Sequence, residues 1–206
     1  MNHLQDFRIF KNRYLAMRHG HSEAEARGLI LTNEDHCVCQ HGLTDEGRSE
    51  VRTTVGYAIG TGFLTRDTII ASCDFLRCVE TTEILNGQIL GSNLLPTGGY
   101  LTDRLRDRFY GTRDGSPGSY RSAVWEQDAM KPPVVTDGTE PIDKVLRRIT
   151  RIAWELETRY TRKTIVLVSH DEPLRILQCA FQQRDPYEHM HIEPFASAEI
   201  REISLS

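Results

Sequence analysis

Two arginines and two histidines in this 206-residue chain stand where a small anion could be gripped. Arg18-His19-Gly20-His21-Ser22 follows the apolar run Tyr14-Leu15-Ala16-Met17, Arg77 comes after Thr68-Ile69-Ile70-Ala71, and Ser169-His170 closes Thr164-Ile165-Val166-Leu167-Val168. Each run is short, apolar and followed by a helical pattern, which predicts a buried strand. The polar residues then fall at or just past the carboxyl ends of strands, where open α/β sheets bind ligands. Arginine suits a phosphoryl group because its planar fork donates two parallel hydrogen bonds and stays charged at any working pH. Together these side chains make one phosphate-handling site.

Strand and helix patterns alternate along the chain, predicting a three-layer α/β/α sandwich with a mostly parallel central sheet in one domain over 1–206. Thr44 is placed to cap a helix carrying Val51, Val55, Ala58 and Ile59 on one face and ending near Gly60 and Gly62. A second helix is predicted from about Phe75 to Leu90. In a third, Ile142, Val145, Leu146, Ile149, Ile152 and Leu156 recur at helical spacing behind Pro141 in the first turn, with its arginines on the solvent side. Pro173 starts a shorter helix, and Ala198 to Leu205 reads as a last strand at an edge. The least regular stretch runs from Gly111 to Gly138, around Pro117, Gly118, Pro132, Pro133 and the patch Ala123-Val124-Trp125; it is a candidate lid and the expected seat of substrate choice.

A net charge of -4 argues against a general nucleic-acid binder, whose backbone affinity needs a basic surface. The arginines are nevertheless dense between Arg104 and Arg121, which suits a small anionic ligand. With no apolar run long enough for a signal peptide or membrane span, the expected location is cytoplasmic. Five cysteines without disulfide-type spacing point to reduced thiols, with Cys73, Cys78 and Cys179 as small core residues. His36-Cys37-Val38-Cys39-Gln40-His41 holds four soft-metal donors, but one short segment cannot easily supply a tetrahedron, so it reads as a loop forming one wall of the pocket. A metal-binding module built on 36–41 stays open as a separate reading. Otherwise no metal or cofactor is expected.

Six segments in order resemble the histidine phosphatase superfamily, the phosphoglycerate mutase-like proteins of branch 1. Arg18-His19-Gly20 resembles the family's R-H-G, 41–48 its L-T-x-x-G helix start, and Ser72 to Thr81 its S-x-x-x-x-R strand exit. Leu105 to Gly111 is similar to L-x-E-R-x-x-G, Gly138-Thr139-Glu140 to the G-E-S turn, and Ser169-His170 to the late S-H pair. The resemblance implies a metal-independent phosphomonoester hydrolase in which His19 attacks phosphorus to give a phosphohistidine. Its other ring nitrogen should then be held by a backbone carbonyl. Arg18, Arg77 and His170 would hold the phosphoryl oxygens, and Asp107 would protonate the leaving group.

Three positions depart from the family pattern. Asp107 stands where a glutamate is usual, and Asp171 competes for the acid role because His170-Asp171 resembles the H-D pair of the acid phosphatase and phytase branch. Ser22 occupies the place of that branch's second arginine. Glu25 replaces an asparagine that contacts phosphate; a carboxylate about 5 Å away would be repelled by roughly 3 kcal/mol at an effective dielectric near 20, so it must turn away, pair with an arginine such as Arg27, or be protonated. Arg108 and Tyr110 match positions that contact substrate in mutases. A mutase is therefore the alternative, although only 26 residues separate Gly111 from Gly138, a short insertion that favours hydrolysis. A phosphate-binding pseudoenzyme is the third reading. The expected partner is a small phosphate monoester, with neither nucleic acid nor membrane, and the protein is expected as a monomer or homodimer.

Overall fold

The computed structural model describes residues 1–91, 100–130 and 137–203. Its elements run β1 (Arg13–Arg18), α1 (Glu23–Ala26), α2 (Glu34–Cys37), α3 (Asp45–Gly60), β2 (Ile69–Cys73), α4 (Leu76–Leu90), β3 (Tyr100–Thr102), α5 (Tyr120–Asp128), α6 (Ile142–Arg159), β4 (Thr164–Ser169), α7 (Asp171–Phe181) and β5 (Ile200–Glu202). The sheet order is β3-β2-β4-β1-β5, with β5 antiparallel at one edge and the other strands parallel. Residues 14–17 and 165–168 are buried throughout, as expected for parallel strands covered on both faces.

Handedness places the helices. Right-handed crossovers that step one way across a sheet put their helices on one face, and the return steps put theirs on the other. The β1-α3-β2-α4-β3 steps run toward the β3 edge, and α3 packs against α4; the later α6 and α7 belong to the return and pack against each other. Adjacent β1 and β4 therefore send their chains to opposite faces. That is the switch point of the sheet, and Arg18 is paired there with Ser169 in register.

The helix starts follow local chemistry. Thr44 Oγ1 accepts from the Gly47 N–H at 3.1 Å, capping α3. Pro141 is the N-cap of α6, one position outside the predicted first turn, and its φ of -62° with extended ψ lets it precede the helix without losing a bond. The apolar stripe of α6 is buried as its spacing demands. In the candidate lid, 120–128 is a regular helix. Its signal is faint in the sequence because only Val124 and Asp128 of its nine residues are buried. Pro132, Pro133 and Leu205 lie outside the described residues.

Candidate active site

The turn after β1 is set by two glycines in close contact. A Cβ on Gly20 would stand 2.5 Å from Gly47 O, and one on Gly47 would stand 2.0 Å from His21 O. Only bare backbone lets the strand exit press on the first turn of α3. Thr44 N and His21 O close the contact at 3.0 Å, and His21 N donates to Glu50. His19 is thereby fixed at the mouth of the sheet, its own N–H bonded to Ser169 O at 3.1 Å.

The His19 ring is buried, and Nδ1 donates to Gly20 O at 2.8 Å, which leaves the lone pair on Nε2. Nε2 makes no hydrogen bond among the described residues. Burial is the main force that lowers the His19 pKa to about 3; nearby Arg77 and Arg18 add to it, and the Glu25 carboxylate opposes it. The ring is neutral at any physiological pH. A neutral imidazole with an unbonded Nε2 is a nucleophile in its reactive form.

Around it lies a cleft of about 260 Å³ lined by Arg18, Arg77, Asp107, Arg121, His170, Asp171 and Glu25. That volume is at the small end for ligand sites and fits a compact substrate. Arg18 donates through Nη1 to Phe195 O at 2.7 Å and pairs through Nη2 with Glu25, leaving Nε without a partner among the described residues. Glu25 thus pairs with Arg18, not Arg27. Its other oxygen accepts from Ser22 N at 2.9 Å and Ser22 Oγ at 3.0 Å, and Ser22 caps α1 in return. With His19 neutral, it is the Arg18 guanidinium and the Ser22 hydrogen bonds that hold the Glu25 carboxyl below the usual carboxylate range, against the opposing effect of burial.

Arg77, at the start of α4, is 3% exposed. Its Nε donates to His170 Nδ1 at 3.3 Å and Nη2 to Leu31 O at 3.2 Å, while Nη1 has no partner among the described residues. An unpartnered guanidinium nitrogen at the bottom of a cleft beside a neutral histidine is a prepared anion contact. His170 is also held neutral, chiefly by burial and then by Arg77. Because Nδ1 accepts, the ring proton sits on Nε2, which faces Cys73 Sγ at 3.3 Å and Cys78 Sγ at 3.5 Å.

Asp107 and Asp171 both line the cleft. Asp171 is tied down by Phe195 N at 2.8 Å and Arg175 at 3.0 Å. Asp107 takes its backbone anchor from Arg108 N at 2.9 Å, and its outer oxygen meets Arg121 at 3.2 Å. Arg121 comes from α5 and was visible beforehand only as part of an arginine-dense stretch. Arg148 was expected on the solvent side of α6; instead its guanidinium donates to the carbonyls of Arg104, Arg106 and Asp107 and pairs with Glu140 at 2.9 Å. It clamps the segment that carries Asp107, a role its position in the helical repeat does not betray.

Two sequence expectations are corrected. Arg108 and Tyr110 do not reach the cleft: Arg108 is 1% exposed and grips Asp128 and Glu172, and the Tyr110 hydroxyl donates to Glu172. Burial of two carboxylates requires a cation, and Arg108 supplies it. Nor does 36–41 form a cleft wall, where Gly28, Leu29 and Leu31 stand instead; Cys37 is buried near Arg77, Cys39 is exposed, and no metal-type cluster of the described residues uses that segment.

Two buried neutral histidines make the fold sensitive to acid. Their folded pKa values are depressed, so below about pH 6.5 the unfolded chain binds more protons than the native one and stability falls as pH falls. Each contributes up to about 1.4 kcal/mol per pH unit in that window. The thermal midpoint should drop steadily from pH 6.5 toward 4, and a His170→Asn variant should show a shallower slope. Parallel slopes would contradict a buried neutral His170.

A model of the histidine phosphatase superfamily (branch 1) matches residues 14–206. No curated protein matches the chain by sequence. Among solved structures, a mycobacterial glucosyl-3-phosphoglycerate phosphatase in complex with VO3 is 18% identical, covers 91% of this chain and 90% of its own, and has a TM-score of 0.73. Bacillus stearothermophilus YhfR is 16% identical over 92% of this chain and 89% of its own, at 0.74. The Entamoeba histolytica phosphoserine phosphatase in complex with 3-phosphoglyceric acid is 18% identical over 92% and 88%, at 0.69. At these identities the likeness is one of fold. Among the described residues, no helix is long and apolar enough to cross a membrane.

Proposed function

Because the chain belongs to branch 1 of the histidine phosphatase superfamily, we propose that it hydrolyses small phosphate monoesters, without a metal, through a phosphohistidine on His19. The observation that carries this reading is His19 itself: neutral, held through Nδ1 by Gly20 O, with an unbonded Nε2 in a cleft of arginines. The Nε2 lone pair attacks phosphorus and the phosphorus–ester oxygen bond breaks. Asp107 gives the leaving oxygen a proton; it then takes one back from the water that opens the phosphorus–nitrogen bond. Arg77 and Arg18, which line the cleft and each keep one guanidinium nitrogen without a partner among the described residues, donate to the phosphoryl oxygens once the side chains turn those nitrogens to the substrate. His170 orients Arg77 through Nδ1, and donates to an oxygen itself only by exchanging that bond.

Hydrolysis is favoured over a mutase reaction because Arg108 and Tyr110, the residues that suggested phosphoglycerate contacts, are engaged in the core. The lid segment 111–138 supplies Gly118 and Arg121 to the cleft and is where substrate choice is made in this reading. Five free thiols support a cytoplasmic site of action. The test is release of phosphate from para-nitrophenyl phosphate between about pH 5 and 8, with and without chelator. Activity that survives chelator supports the reading; phosphate transfer between carbons of phosphoglycerate, without release, would overturn it.

The acid is separable. Asp107→Asn should slow alkyl phosphates about 100-fold and para-nitrophenyl phosphate less than about tenfold, since an aryl oxide needs little protonation. If Asp171→Asn shows that split instead, the assignment passes to Asp171. Glu25→Gln removes the charge opposite Arg18 Nη2 and should tighten inhibition by inorganic phosphate about tenfold, about 1.4 kcal/mol of repulsion relieved. An unchanged inhibition constant would mean that the carboxylate does not act on the bound phosphate.

A further inference from the structure

Cys73 closes β2, Cys78 lies in the first turn of α4, and His170 follows β4. Their ligand atoms, two Sγ and Nε2, all lie within 4.8 Å of one another. The two Sγ···Nε2 separations are 3.3 and 3.5 Å. A tetrahedral zinc ion, with Zn–S about 2.3 Å and Zn–N about 2.0–2.1 Å, has S···N edges of about 3.5 Å and S···S edges of about 3.8 Å. Three buried side chains from three separate elements thus already stand close to the spacing of one face of such a tetrahedron. Thiolate and imidazole are donors that select soft cations over magnesium or calcium. Phe75 N donates to Cys73 Sγ at 3.3 Å and Arg77 lies beside Cys78, but burial and the neighbouring Cys73 push the Cys78 thiol up, so the cation itself must displace the thiol protons.

We propose that Cys73, Cys78 and His170 form an inhibitory site for a soft divalent cation of the zinc and cadmium type, entered through the phosphate cleft that His170 lines. Binding sends both thiol protons to solvent and leaves a fourth position for water. The Nε2 lone pair is then used by the metal, so the ring proton moves to Nδ1. There it faces the Arg77 Nε–H, and the 3.3 Å hydrogen bond that orients Arg77 is lost. The metal-bound protein cannot keep the phosphate clamp described above. The inhibitory consequence rests on the proposed phosphatase reaction; the binding itself does not.

The experiment is a titration of the whole chain with cadmium chloride, following thiolate-to-cadmium charge-transfer absorbance and the bound metal per chain. In parallel, zinc chloride is titrated against para-nitrophenyl phosphate hydrolysis. One cadmium per chain with the absorbance of two thiolates is expected, together with zinc inhibition that chelator reverses. Cys73→Ala and Cys78→Ala should each weaken both by more than about 100-fold, because each removes a direct ligand. Cys39→Ala, at an exposed thiol, should change neither. Cadmium NMR of the wild type reports the donor set without any variant. An oxygen-only donor set, an absent thiolate band, or inhibition that survives both alanine variants would overturn the site. The absorbance and NMR arms need no turnover, so an inactive chain would still answer the question.

Discussion

His19→Ala is expected to lower kcat for phosphomonoesters by at least about 10⁴-fold, or roughly 5.5 kcal/mol of barrier, and to abolish any covalent phosphoenzyme. The size follows from what the side chain supplies. Nucleophile, orientation and the correct tautomer all reside in one ring, and residues that act as a unit lose nearly everything when the central one goes. Removing the side chain leaves no ring nitrogen lone pair in the cleft to attack phosphorus. The measurement is rapid-quench capture of labelled phosphate on the wild type, acid-labile as a phosphoramidate must be, and its absence in the variant. The folded His19 ring is neutral, so its loss leaves no buried charge uncompensated; folding is checked by the thermal midpoint at pH 7. A variant that turns over at near-normal rate would end the phosphohistidine mechanism while leaving the anion cleft in place.

The parts of the site that were legible in the sequence share a cause. Strand exits announce themselves, since a run such as Ile165 to Val168 is apolar at every position and the first polar residues after it must lie at the sheet's end. Arg18, His19, Arg77 and His170 are therefore expected near strand exits, and the structure brings them into one cleft. What stayed hidden depends on long-range partners. Arg148 has the heptad position of a surface residue, and only the chain at 104–107 folding over α6 makes it a clamp. Arg108 and Tyr110 have residue types that suit a substrate, and nothing local says that Asp128 and Glu172 will be buried against them. Glu25 was seen as a problem for phosphate, yet its partner Arg18 sits on the preceding strand and not on its own short helix. The 120–128 helix is too short for its apolar periodicity to speak.

Replacing Arg108 separates a core role from a substrate role. Arg108→Met should destabilise the fold by about 3–5 kcal/mol, about 10 °C or more in Tm, because it leaves the buried carboxylates of Asp128 and Glu172 without their cation. Four hydrogen bonds go at once: Nη1 to Asp128 and to Glu172, Nη2 to Asp128 at 2.9 Å, and Nε to Glu140 O at 2.7 Å. Asp128 loses both of its side-chain donors, while Glu172 keeps Tyr110 and His189. Burial pushes the Glu172 carboxyl up, and only the His189, Arg108 and Tyr110 contacts hold it well below the usual carboxylate range. Adding Glu172→Gln to Arg108→Met should recover part of the loss, since a neutral amide needs no cation, whereas Glu172→Gln alone should destabilise. That reversal of sign is the signature of a buried ion pair. KM for para-nitrophenyl phosphate, measured well below the lowered Tm, should change only a few-fold. A KM raised tenfold or more with an unchanged Tm would return Arg108 to the substrate, and with it the case for phosphoglycerate-type chemistry.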